Sequence, residues 1–84
     1  MNDNRILDMA LKYLEHPKWH VREECLTLLT MNCLMKGPKN LMSNMHNLAF
    51  VAERLTDDKA KVRSNAIDLY CVIVSKDQTC VNAI

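Results

Sequence analysis

The side chains that could bind a metal ion or act as nucleophiles are three histidines and four cysteines. His16 and His20 lie four positions apart, but Pro17 stands between them, so the two rings do not share one regular helical face. His46 is remote in the sequence, and no two cysteines form a C-x-x-C pair. The spacing therefore predicts that the chain has no zinc site.

No set of residues matches the arrangements that common enzymes use. The sequence shows no serine–histidine–aspartate or cysteine–histidine constellation, and its single glycine leaves no Gly-rich phosphate loop. Glu23 and Glu24 are adjacent on a predicted helix and point in different directions. That placement suits exposure to solvent better than paired acid–base catalysis. We therefore predict a protein that is not an enzyme and uses no cofactor.

Residues suited to binding a partner protein occur in two stretches that follow predicted turns. Trp19, the only tryptophan, comes directly after Pro17 and Lys18, and Lys59 and Lys61 lie in the second stretch. Two interpretations of Trp19 stay open: an exposed contact for a partner, since tryptophan is enriched at interface hot spots, or a side chain folded back over the helix ends. The lysines are either a basic edge for an acidic partner or ordinary solvated turn residues.

The chain repeats its own pattern. Residues 14–29 align without a gap with residues 55–70, at an offset of 41 residues. A self-match at a period of about 40 to 47 residues is typical of stacked helical pairs. The identical pairs are Leu14/Leu55, Lys18/Lys59, Val21/Val62, Arg22/Arg63 and Leu28/Leu69. Among them, we predict a structural role for Val21, Arg22, Val62 and Arg63.

Arg22 and Arg63 should act through the turns between helices. In stacked helical pairs, an arginine at this position can reach the carboxylates and carbonyl groups of the adjacent turn. Asp57 and Asp58 lie in the second turn. We therefore expect one of these two carboxylates to pair with Arg22.

Apolar residues recur at three- and four-residue spacing and predict four helices. The first begins near residue 3 and ends near Leu14, before Pro17. The second runs from about 18 to 35 and ends at Gly37, the third from about 40 to 55, and the fourth from about 59 to 74. They form two antiparallel pairs, residues 3–35 and 40–74, in one domain (1–75) with an irregular tail (76–84). The side chains predicted to face the core include Ile6, Met31, Met35, Met45, Leu55 and Ile67.

Composition narrows the remaining possibilities. Apolar residues make up 49% of the chain and charged residues 25%, which is ordinary for a folded globular domain. A net charge of +1 gives no overall attraction to nucleic acid, and no apolar run is long enough to span a membrane. Three cysteines, Cys25, Cys33 and Cys71, lie inside predicted helices among apolar neighbours. Buried free thiols indicate a reducing compartment, so we predict a cytoplasmic protein.

The two repeats resemble the HEAT family. The first copy has Leu14, the His16-Pro17 turn, Val21-Arg22 and Leu28, and the second has the equivalent residues 41 positions later. The resemblance implies two HEAT-type antiparallel helix pairs stacked as a short right-handed solenoid. Such pairs bury their apolar faces against neighbours, so we expect either self-association or membership of a longer solenoid.

Among HEAT proteins, the first copy looks most like the tubulin-binding TOG domains, which carry a tryptophan in the turn of their first helical pair and basic residues in later turns. By this resemblance, Trp19 would press on tubulin, and Lys18, Lys59 and Lys61 would face its acidic surface. The implied setting is cytoplasmic and cytoskeletal, at microtubules or a cilium. The second turn also holds Asp57 and Asp58, whose charges would oppose an acidic partner. The alternative is a generic HEAT or armadillo scaffold that binds another protein through its helix faces.

Overall fold

A computed structural model describes residues 5–76, and within this range every regular element is helical. The elements are α1 (Arg5–Lys12), α2 (Trp19–Lys36), α3 (Lys39–Met42), α4 (Met45–Glu53), a 3-10 turn (Arg54–Thr56) and α5 (Ala60–Lys76). The predicted all-α class is therefore confirmed for this range. We call residues 5–36 the N-terminal half and residues 39–76 the C-terminal half.

Pro17 prevents α1 from continuing past His16, because it cannot donate a backbone hydrogen bond and disfavours helical geometry at His16. The regular helix ends at Lys12, two residues before the predicted end at Leu14. Leu14 instead lies in a tight turn, where its N–H donates to the carbonyl of Leu11. Its side chain is nevertheless fully buried, so the turn contributes to the core.

Helix α2 ends before Gly37, as the sequence predicts. Gly37 has a φ of +81°, a left-handed conformation that residues with a Cβ rarely adopt. Its N–H donates to the carbonyl of Cys33 at 2.8 Å, which satisfies one of the last carbonyls of the helix. Pro38 follows directly and does not extend α2.

The prediction of a single third helix from residue 40 to residue 55 is wrong. Helix α3, helix α4 and the 3-10 turn occupy this stretch. Asn44 separates α3 from α4: its backbone is extended, and its side-chain oxygen accepts a hydrogen bond from the N–H of His46 at 3.0 Å. Asparagine is a strong N-cap because it satisfies a backbone donor that the helix cannot. This local cap competes with continuation of the helix and ends it.

Helix α2 packs against both α1 and α5, and α5 also packs against the 3-10 turn. Helix α2 is therefore covered by neighbours from both halves of the chain. The buried apolar side chains come from both halves of the chain: Leu7, Ala10, Leu14, Cys25, Leu26, Leu29, Cys33, Leu41, Val51, Val62, Ala66, Leu69 and Ile73. Both halves therefore share a single core.

Several apolar side chains predicted to be buried are exposed. They are Ile6, Met31, Met35, Met45, Leu55 and Ile67. The sequence shows apolar residues on most sides of α2 and α5, but helical spacing does not say which sides another helix will cover. Residues 5–76 contain too few helices to cover them all.

The described cysteine side chains also include both buried and exposed residues. Cys25 and Cys33 are buried, as predicted, whereas the prediction that Cys71 is buried is wrong, because its side chain is exposed. Burial raises the pKa of both buried thiols. Helix α5 runs to Lys76, the first residue of the predicted tail, and the rest of that tail (77–84), with Cys80, lies outside the described residues. Residues 5–76 contain no helix with both the length and the apolar character needed to span a bilayer.

Candidate functional site: the edge formed by two turns

An ion pair joins the two halves at their turns. The Nε and Nη2 groups of Arg22 donate to the two carboxylate oxygens of Asp57 at 2.7 and 3.0 Å. The side chains are only 9% and 2% exposed, respectively. A bidentate guanidinium–carboxylate pair is both strong and geometrically specific. The predicted pairing of Arg22 with the second turn is therefore confirmed, with Asp57 as the main partner.

Arg22 also organises its own turn. Its Nη1 group donates to the carbonyl of His16 at 2.7 Å and to that of Pro17 at 3.2 Å. A further bond runs from Nη2 to the carboxylate of Asp58 at 3.1 Å, although the Asp58 side chain is largely exposed. One guanidinium thus fixes the turn that precedes α2 and the turn that precedes α5.

A second arginine, Arg54, completes the cluster. Its Nη1 group donates to the carbonyl of Leu14 at 3.0 Å and to Asp57 at 3.2 Å. The repeat gives no signal for Arg54, because the residue 41 positions earlier is Tyr13. Arg54 therefore links the 3-10 turn to the first turn. Asp57 accepts hydrogen bonds from one arginine of each half, Arg22 and Arg54.

Arg63 repeats one contact of Arg22. Its Nη1 group donates to the carbonyl of Asp57 at 2.6 Å, as Arg22 does to His16, the residue 41 positions before Asp57. The turn geometry repeats as well: Asp57 accepts from the N–H of Lys59 at 3.0 Å, and the Nδ1 atom of His16 accepts from the N–H of Lys18 at 3.0 Å. The predicted equivalence of the two arginines therefore holds for their contact with the preceding turn.

The charges in this cluster reinforce each other. Burial raises the pKa of Asp57, but the hydrogen bonds from Arg22 and the Lys59 N–H, together with the Arg22 charge, outweigh it and hold that pKa at about 2. The hydrogen bond to Asp57 raises the pKa of Arg22 against the opposing effect of burial. Asp57 is therefore ionised, and its charge is largely compensated inside the protein.

Because the pKa of Asp57 is about 2 in the folded chain against an ordinary 3.8, its ionisation favours folding above pH 4. We expect this contribution, about 2 kcal/mol, to be lost as the pH falls from 4 towards 2. Urea unfolding at several pH values between 5 and 2 measures it. The control is Asp57→Asn, which should be less stable at pH 5 but should lose less stability on acidification. Equal losses in both chains would show that another carboxylate is responsible.

Beside the cluster lies an open groove of about 520 Å³, which we call the turn groove. It is lined by Pro17, Trp19, Arg22, Glu53, Arg54, Thr56, Asp57, Asp58 and Lys59. Trp19 is half-buried: it packs against the core, and its ring stacks on that of His20 with centroids 3.7 Å apart. Trp19 thus combines parts of both interpretations, because it covers the core and also borders the groove.

The predicted basic residues are exposed. Lys59 lines the turn groove, and Lys18 and Lys61 are exposed in the stretches that hold Trp19 and Lys59. Of the two aspartates that could oppose an acidic partner, Asp57 is buried and paired, so only Asp58 presents its carboxylate to solvent. The structural positions behave differently from one another: Val62 and Arg22 are buried, whereas Val21 and Arg63 are half-buried.

The side chains around the turn groove are suited to binding. Within residues 5–76, no three histidine, cysteine, aspartate or glutamate side chains are grouped so that they could hold a metal ion. The groove is lined by an aromatic ring and two arginines, residue types that are enriched at protein interfaces. Lys59 and three acidic side chains, Glu53, Asp57 and Asp58, complete the charged lining.

Comparison with protein-family models, curated proteins and solved structures gives no match to this chain.

Proposed function

We propose that the chain is a non-enzymatic protein-binding module, and that it binds tubulin through the edge formed by its two turns. The observation that carries this proposal is the position of Trp19 at the rim of the turn groove, beside exposed Lys18 and Lys59. A rigid aromatic side chain next to cations is suited to an acidic protein surface. The choice of tubulin rests on the resemblance of this turn to that of TOG domains.

The buried charge of Asp57 supports the same proposal. Left exposed, this carboxylate would repel an acidic partner, but Arg22 and Arg54 compensate it inside the protein. The exposed lysines therefore face solvent with less opposing charge than the sequence suggests. The attraction of exposed Lys18, Lys59 and Lys61 to an acidic partner speeds association and falls with increasing salt. The exposed carboxylates of Glu53 and Asp58, which also line the turn groove, oppose this attraction.

We further propose that the two halves are stacked HEAT-type helical pairs. Two features support this arrangement: α2 packs along α5, and Arg22 and Arg63 make equivalent contacts 41 residues apart. In such a stack the two turns lie on the same edge, which is the geometry that a bipartite turn surface requires.

Replacing Trp19 with alanine and Lys59 with glutamate in one chain should reduce co-sedimentation with tubulin polymers by roughly tenfold or more, because it removes the aromatic contact and reverses a charge. The matched control is Met35→Ala with Lys36→Glu, which makes the same types of change on exposed side chains at the far end of α2. This control should bind as the unmodified chain does.

Far-UV circular dichroism decides how a loss of binding is interpreted. We expect the Trp19→Ala/Lys59→Glu chain to keep its helicity and to unfold in one cooperative step. An unfolded variant would place Trp19 in the core, and equal binding by this variant and the unmodified chain would refute the turn edge as the contact surface.

A second candidate function has its own supporting observation. The outer face of α5 carries an exposed apolar groove, so the chain could act as a scaffold that binds another protein through a helix face. Large apolar side chains left in water are typical of interaction surfaces.

A further inference from the structure

Part of the exposed apolar surface of the C-terminal half is a groove along α5. This groove of about 390 Å³, which we call the α5 groove, is lined by Leu55, Ile67, Tyr70, Cys71, Val74 and Ser75. Ile67 is 53% exposed, and Leu55 is 38% exposed. Polar atoms contribute almost nothing to the lining, so water gains little by remaining there.

The residues at the equivalent positions of the N-terminal half show the environment that such side chains can have. Four of the six lining residues have fully buried counterparts 41 positions earlier, which are Leu14, Leu26, Leu29 and Cys33. The counterparts of Cys71 and Ser75 are Thr30, which is half-buried, and Leu34, which is exposed. The four buried counterparts belong to the core of the N-terminal half, whose helix α2 packs along α5. The α5 groove is therefore the counterpart, in the second half, of an apolar surface that a helix covers in the first half.

The two halves also share a charged residue next to this surface, which is Arg63 in the C-terminal half and Arg22 in the N-terminal half. Arg63 lies four residues, one helical turn, before Ile67, as Arg22 lies before Leu26. The Nε and Nη2 groups of Arg22 donate to the carboxylate of Asp57, which lies in the turn before α5. Among residues 5–76, Arg63 makes one hydrogen bond, to the Asp57 carbonyl, and no carboxylate lies within ion-pair distance of it.

We propose that the α5 groove and Arg63 together bind an amphipathic helix of a partner protein, and that this helix carries an aspartate or glutamate in the turn before its first residue. The apolar side of the helix covers Ile67, Tyr70 and Val74, and the carboxylate accepts from the Nε and Nη2 groups of Arg63. This inference gives the scaffold function a partner chemistry. It does not rest on tubulin binding, which uses the turn edge.

A second copy of this chain lacks the required carboxylate. Stacked in the same register, it would place its own His16 where Asp57 lies. The Nδ1 atom of His16 already accepts from the N–H of Lys18, so the neutral ring can offer Arg63 only its other nitrogen, which carries a hydrogen. An unmodified second copy would therefore leave the Arg63 charge without a partner.

The chain itself supplies a probe. The variant His16→Asp with Ile67→Glu, which we call the probe chain, gains the turn carboxylate and has its own α5 groove blocked. Aspartate fits this turn because Asp57 makes the equivalent bond to the N–H of Lys59. Val21, Cys25 and Leu28 of its N-terminal half line an open groove and are the counterparts of the buried Val62, Ala66 and Leu69. Val21 and Leu28 are half-buried, and Cys25 is buried.

Sedimentation velocity of the probe chain, mixed with the unmodified chain at up to about 200 µM, tests the proposal. We expect a 1:1 complex. Its affinity should fall by roughly tenfold or more when the acceptor is Arg63→Met, or when the probe chain keeps His16. An Ile67→Glu acceptor should not bind. Arg63→Met and Ile67→Glu change partly or largely exposed side chains, so circular dichroism should show unchanged helicity.

Three results would overturn the proposal. The first is the absence of a complex. The second is a complex whose affinity does not depend on Arg63 or on the carboxylate at position 16. The third is self-association of the unmodified chain as tight as its binding to the probe chain, because the occupant would then be a second copy. The tubulin experiment is unaffected by these outcomes, since Ile67→Glu leaves Lys18, Trp19 and Lys59 in place.

Discussion

Replacing Arg22 with methionine is expected to lower the free energy of unfolding by about 3–5 kcal/mol. Methionine keeps the length and much of the apolar stem of the arginine side chain, so the change mainly removes the guanidinium. For a domain of this size, the loss corresponds to a fall in melting temperature of roughly 12 °C or more. Far-UV circular dichroism during heating and during urea titration measures both quantities.

The large cost follows from what Arg22 leaves behind. Asp57 would keep its bonds to Arg54 and to the N–H of Lys59, but it would lose its bidentate partner at a site where its side chain is 2% exposed. A buried charge that loses its partner costs far more than the pair contributes net, because water does not replace the lost bonds. The carbonyl groups of His16 and Pro17 would lose their donor as well.

Arg63→Met is the matched control for Arg22→Met. It removes the same residue type from the same repeat position, but Arg63 is half-buried and bonds only one carbonyl among the described residues. We expect a loss of about 1 kcal/mol. Equal losses for the two variants would mean that the guanidinium–carboxylate pair between the halves contributes nothing beyond the local turn contact.

The sequence predicts those parts of the structure that the repeat makes visible. The pairing of Arg22 with the second turn could be predicted from the alignment of the two copies. The same arginine occurs in both copies, and the second turn contains two aspartates that can pair with it. The positive φ of Gly37 follows from a glycine placed between a helical pattern and a proline. In both cases the residue types near each other in the sequence are enough to predict the contact or the backbone conformation.

Other features depend on contacts that no local pattern encodes. The cap at Asn44 interrupts a continuous apolar stripe, and the stripe alone predicts an unbroken helix. Arg54 has no counterpart in the first copy, so the repeat hides it. The exposure of Ile67 depends on which helices lie nearby in space, and the spacing of apolar residues carries no information about that. Tertiary context therefore decides the burial of these side chains.

Leu26 and Ile67 occupy the same repeat position and provide the second large expected effect. Leu26→Ala should lower the free energy of unfolding by about 2–5 kcal/mol, because Leu26 is fully buried and its removal leaves a cavity that surrounding side chains fill only in part. Ile67→Ala should cost less than about 1 kcal/mol, because half of its side chain is already in water. Urea unfolding of the two variants gives the comparison.

The difference between these two values measures how unequally the two halves are covered. Both substitutions remove a branched apolar side chain from a long helix at equivalent positions, so helix propensity contributes little to the difference. A cost for Ile67→Ala that approaches that of Leu26→Ala would mean that the outer face of α5 is covered in the isolated chain, and the α5 groove would not be open to a partner. A large difference instead shows that the surface buried in the N-terminal half is exposed in the C-terminal half, as docking of a partner helix requires.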